Sequence, residues 1–141
     1  MEKQDLGFEI HSTQSHEQAL ESVTAALKAE GFGVLTRIDV HATMKEKLGV
    51  DFRPYTILGA CNPPLAHRAL SADSLSGLLL PCNITIEAGM MGGSIIRIID
   101  PEVMMTVGAL GENQALREVS KEARLKLMRV AESLAQPGTI S

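Results

Sequence analysis

The chain has 141 residues, is 45% hydrophobic and 21% charged, and carries a net charge of −4. That length suits one compact domain that builds its core without disulfides or a structural metal. The composition argues against a nucleic-acid partner: no Lys/Arg cluster offers a phosphate-tracking surface, and three Phe, one Tyr and no Trp offer little for base stacking.

The apolar runs Leu78–Leu80 and Ile95–Ile99 are far too short to cross a bilayer, so no membrane role is expected. The start, Met1-Glu2-Lys3-Gln4-Asp5, has no secretory pattern, and two cysteines read as reduced cytoplasmic thiols rather than a disulfide framework.

Gly7 to His11 is a first strand. Ser15-His16-Glu17-Gln18 has capping-box spacing and opens a helix whose apolar face is Ala19, Leu20, Val23, Ala26 and Leu27; Gly31 stops it. Val34 to Val40 is the next strand, and His41 to Leu48 a short helix closed by Gly49. Tyr55 to Ala60 follows as a strand. Asn62 is a good N-cap and Pro63 suits a first helical position, so a short helix runs to about Leu70. Ser71 to Gly77 reads as a polar loop.

Leu78 to Glu87 is expected as a strand, with Pro81 marking an edge, a bulge or a strand start near Cys82. Gly89, Gly92 and Gly93 turn it into a second strand, Ser94 to Ile99. Asp100-Pro101 breaks the pattern before a short helix, Glu102 to Val107. The last helix, Glu112 to Ala135, places Leu116, Val119, Ala123, Leu127, Val130 and Leu134 on one face, and Glu122 is spaced to pair with Lys126. Residues 1–135 thus form one domain, and Gln136 to Ser141 a flexible tail. The late hairpin and one-faced helices predict an α+β fold: a two-layer sandwich of a mostly antiparallel sheet with helices on one face.

Two Cys-Asn pairs are the candidate chemical site. Cys61 precedes the expected N-cap Asn62, where backbone N–H groups and the helix dipole favour a thiolate. Cys82 shares a strand face with Ile84 and Ile86, which suits a core residue; exposed, it would resolve an oxidised Cys61 or share a soft metal. The absence of a CxxC motif argues against a thioredoxin-like dithiol. Asn62 and Asn83 serve as turn or cap residues, or as a pair of amides orienting a small polar ligand. His67 is the histidine nearest Cys61 in sequence and a candidate third metal ligand, although it reads as solvent-facing and zinc-type spacing is absent. Asp39 and Glu87 read as single carboxylates on solvated faces. Met90-Met91 and Met104-Met105 read as turn and gap-filling residues rather than a copper site.

The run from Asp51 to Leu70, which contains Gly59-Ala60-Cys61-Asn62-Pro63-Pro64, resembles the family called domain of unknown function 302. So do Gly77-Leu78-Leu79-Leu80-Pro81-Cys82-Asn83, Ile99-Asp100-Pro101-Glu102 and, earlier, Phe32 to Val40 with Lys45 to Gly49. The resemblance extends from about Phe8 to Leu134 and implies a two-layer α/β sandwich that is often dimeric, with no established activity or cofactor. Met90-Met91-Gly92 replaces a charged loop expected from the family.

These observations lead to a small cytoplasmic binding module, expected as a homodimer. Its pocket for a small molecule or soft metal would be lined by Cys61, Asn62, Cys82 and Asn83. Two alternatives stand beside it. One is a redox or sulfur-transfer protein using Cys61 with Cys82 as resolving thiol; the other is a structural dimer with inert cysteines.

Overall fold

Residues 1–135 are described by a computed structural model. Residues 136–141, where the C-terminal tail was expected, lie outside the described residues.

Alternation builds the sheet. Phe8 and Ile10 in β2 (Gly7–Ser12) turn to one side and are buried. So are Leu58 and Ala60 in β4 (Tyr55–Cys61), Ile84 and Ile86 in β5 (Cys82–Ala88), and Ile96 and Ile98 in β6 (Ser94–Ile99). Register joins them into one apolar stripe: Phe8 lies opposite Ile98, Ile98 opposite Ile84, and Ile84 opposite Leu58. The short β1 (Glu2–Lys3) and the longer β3 (Gly33–Asp39) form the edges. The order is β1-β2-β6-β5-β4-β3, and every ladder is antiparallel. The closing step is non-local, since β2 pairs with the last strand, β6.

Helices cover the apolar face. α1 (His16–Ala29) begins at a complete capping box between Ser15 and Gln18 and buries Ala19, Leu20, Val23 and Leu27. α2 (Val40–Leu48) buries no residue fully and ends at Gly49, whose φ of 67° is left-handed. α3 (Pro63–Ala72) and the short α4 (Pro101–Met104) each start on a proline. α5 (Gln114–Ala135) packs against α1, α3 and α4. The result is the expected α+β sandwich, a six-stranded antiparallel sheet with helices on one face.

Several boundaries differ from expectation for local reasons. The strand expected from Leu78 starts at Cys82, because Leu78 and Leu79 belong to a 3-10 turn, Ser74–Leu79, and Pro81 has no N–H for the ladder. α3 reaches Ala72, inside the expected polar loop. The helix after Asp100 starts on Pro101 and stops at Met104. α5 begins at Gln114 because the Asn113 side chain accepts the Leu116 N–H at 3.1 Å and so caps it; Glu112 lies in a preceding 3-10 turn. Glu122 reaches across to Arg68 of α3.

Candidate functional site

The helix layer holds two hydrophobic clusters. The main one joins the sheet stripe to α1 and the C-terminal half of α5; the smaller one is Leu65 and Ala69 of α3 with Leu116, Val119 and Ala123 of α5. Where they meet, the side chains are small: Ala60, Ala66, Ala69, Gly77, Ser120 and Ala123. Close packing fails there, leaving a cavity of about 310 Å³. Phe32, Leu65, Leu80 and Met105 complete its apolar wall. Leu35 and Leu70 also line it while remaining 68% and 46% exposed, so the cavity opens to solvent between them. Leu35 reaches this position because β3 carries a bulge: Val34 pairs with Ala60 and Thr36 with Gly59, leaving Leu35 as the extra residue.

Cys61 and Asn62 form part of this wall. Cys61 is the half-buried last residue of β4, opposite Gly33. Asn62 is buried and fully engaged. Its Oδ1 accepts the Leu65 N–H and caps α3, while its Nδ2 donates to the Glu30 carbonyl at the end of α1, both at 3.3 Å. Gly31, with a φ of +83°, leaves room for that amide: a Cβ there would lie 3.0 Å from Nδ2.

The other two expected lining residues lie elsewhere. Cys82 is 6% exposed and packs in the main core opposite Ala60. Burial, and secondarily the neighbouring Cys61, push its thiol up to about 11. Both cysteines are free. Asn83 is exposed on the helix-free face, where it lines a hollow of about 550 Å³ with Tyr55, Thr85 and Arg97. His67 is exposed on the outer side of α3, beside Arg68 and away from the cavity. Among the described residues, the one cluster of three metal-type donors is Glu2, Glu9 and His11, not Cys61, Cys82 and His67.

Two carboxylates read as solvated are instead engaged. Glu87 is 6% exposed and clamped by Arg53 at 2.8 Å and Arg97 at 2.6 Å. Burial raises its pKa, but the hydrogen bonds from Arg97 and Arg53 outweigh that and hold it below the ordinary carboxylate value. Arg97 also holds Glu9 at 2.7 Å. Asp39 accepts from Thr56 and Arg37 rather than capping α2. Sequence reasoning missed Glu87–Arg53, Glu9–Arg97 and Asp39–Thr56 because those partners are distant in the chain, and it missed the cavity because alanines read as ordinary helix formers.

Fold and site together define a small α+β sandwich with an apolar cavity under its helix layer. The chain belongs to the DUF302 family, a domain of unknown function, whose pattern matches residues 8–134. It is similar to a crystal structure of an uncharacterized conserved DUF302 protein from Bacillus stearothermophilus, with 27% identity and a TM-score of 0.81 over 93% of this chain and 99% of that one. No curated protein matches the chain.

Burial separates the two thiols chemically, since the thiolate is the species that alkylates. Iodoacetamide at mildly alkaline pH should modify one cysteine in the folded protein, Cys61, and reach Cys82 only after denaturation. Peptide mapping reads this directly, and equal native labelling of both would show that Cys82 is not held in the core.

Proposed function

We propose that the chain is a small binding module whose cavity takes the hydrocarbon part of a small molecule, with Cys61 and Asn62 in its wall. The observation that carries this reading is the apolar cavity of about 310 Å³ opening between Leu35 and Leu70. Small-ligand pockets run roughly from 300 to 1,000 Å³ and are mainly apolar with few polar groups. Here Asn62 and Ser120 already bond to helix backbone, Ser120 through its hydroxyl to the Leu116 carbonyl at 2.7 Å. The Cys61 thiol is then left to meet a polar ligand atom. This favours a mostly hydrocarbon ligand over a soft metal, for which no third donor joins the cysteines among the described residues.

A thiol-based redox or sulfur-transfer role is the second reading, supported by the half-buried position of Cys61 at the cavity. Against Cys82 as its resolving partner stand burial and a thiol pushed up to about 11. A second copy of the chain is the proposed partner. The helix-free face carries Glu9, Arg97, Glu87 and Arg53 in a row of alternating sign. Laid against itself about a two-fold axis, that row sets each charge opposite its complement.

Binding of an environment-sensitive apolar dye tests the ligand reading. Ala69→Leu and Ala123→Leu put extra carbons into the cavity. Each is expected to weaken the dye by about tenfold or more, the equivalent of ~1.4 kcal/mol, without lowering stability. Dye affinity unchanged in both variants would place the ligand elsewhere. Sedimentation should show a dimer at micromolar concentration that Arg97→Glu dissociates; a wild-type monomer would remove the second copy from the account.

A further inference from the structure

The wall of the cavity determines which end of a ligand can enter it. Among the described residues that line it, none is charged, and the polar side chains are those of Cys61, Asn62 and Ser120. Asn62 and Ser120 are engaged with helix backbone. The Cys61 thiol is a weak donor and a weak acceptor. A carboxylate, phosphate or ammonium group drawn inside would exchange its hydration for these partners, and an ion buried without a counter-charge is strongly disfavoured. Alkyl carbons have the opposite balance. Each methylene moved out of water strengthens binding about fourfold, the equivalent of ~0.8 kcal/mol.

The mouth differs from the wall in being both apolar and wet. Leu35 and Leu70 stand partly in the cavity and partly in solvent. Gly77, on the 3-10 turn after α3, lies beside them: a Cβ there would be 3.4 Å from Leu70 Cδ2. The next residue, Leu78, is 82% exposed. Carbons emerging from the cavity therefore meet exposed leucine at the opening, and anything beyond them is in water. The cavity's volume of about 310 Å³ is at the small end of ligand pockets, room for one chain rather than two.

We propose that the ligand of this cavity is a single-chain amphiphile bound tail first, with its alkyl chain inside and its polar or charged headgroup in water at the Leu35–Leu70 mouth. The proposal rests on the small-molecule reading of the cavity and adds the class of compound and the direction in which it lies. With the headgroup left in water, the site selects for the length of the chain and not for the charge of the head. The half-buried Cys61 thiol suits at most one neutral polar atom next to the chain.

Competition against the apolar dye tests this, using n-alkanols, alkyl carboxylates and alkyltrimethylammonium salts, each as a series of chain lengths below its micelle-forming concentration. Affinity should rise about fourfold per methylene and then flatten once the chain reaches the mouth. The three headgroups on one chain length should agree within about threefold. Ala123→Leu should bring the plateau to shorter chains. Leu35→Lys, at the exposed mouth, should strengthen the carboxylate and weaken the ammonium by about threefold each, a split of opposite sign that no folding defect produces. A carboxylate weaker than its alkanol by about tenfold or more, affinity independent of chain length, or Leu35→Lys acting alike on both ions would overturn tail-first binding while dye binding sensitive to Ala69→Leu keeps the cavity reading. Failure of the dye and of every alkyl compound to bind would overturn both.

Discussion

One buried amide ties the helix layer together. The Asn62 side chain accepts from the first turn of α3 and donates to the last carbonyl region of α1, so two helix ends that would otherwise hold unpaired polar groups satisfy each other through it. This fixes where α3 starts relative to α1 and hence how far α3 leans onto α5. The smaller hydrophobic cluster forms at that crossing, and the main one under α1. Because the seam is built from alanine, glycine and serine, the two clusters meet without filling the space between them. The cavity follows from those small side chains, and Cys61 borders it because it directly precedes Asn62 at the start of α3.

The features legible in the sequence are those set by neighbours in the chain. The alternation Cys82, Ile84, Ile86 placed β5 correctly on the core side, and the Ser15–Gln18 box and Asn62–Pro63 pair marked two helix starts, because capping is a matter of three or four residues. The same alternation carried a warning about the Cys-Asn pairs: Cys82 and Asn83 must face opposite sides of the sheet, and they do. What could not be read depends on contacts across the fold. Glu87 meets Arg53, 34 residues away, and His16 meets Thr56, 40 residues away. The one local hint was Thr56 itself, a hydroxyl in register with Leu58 and Ala60 on the buried face of β4. A buried threonine in an apolar stripe demands a partner.

β4 thus organises both ends of the molecule. At its C-terminal end it delivers Cys61 to an apolar space with little hydrogen-bonding capacity. At its N-terminal end it delivers Thr56 to His16 and the Asp39 carboxylate. Between them, the helix-free face carries the alternating charges of Glu9, Arg97, Glu87 and Arg53. The polar positions that seemed paired in the sequence, Asn62 and Asn83, have separate tasks: one holds helix ends, the other lines the hollow of the open face.

Methyl NMR during titration with a medium-chain aliphatic alcohol addresses the central claim most directly. If the cavity is the binding site, methyl signals of Leu65, Leu80, Met105 and Val119 shift with saturation, while Ile84, Ile86 and Ile96 in the filled core stay in place. Shifts confined to Leu6 and Ile99, around the hollow of the helix-free face, or no saturable shift at all, would contradict it.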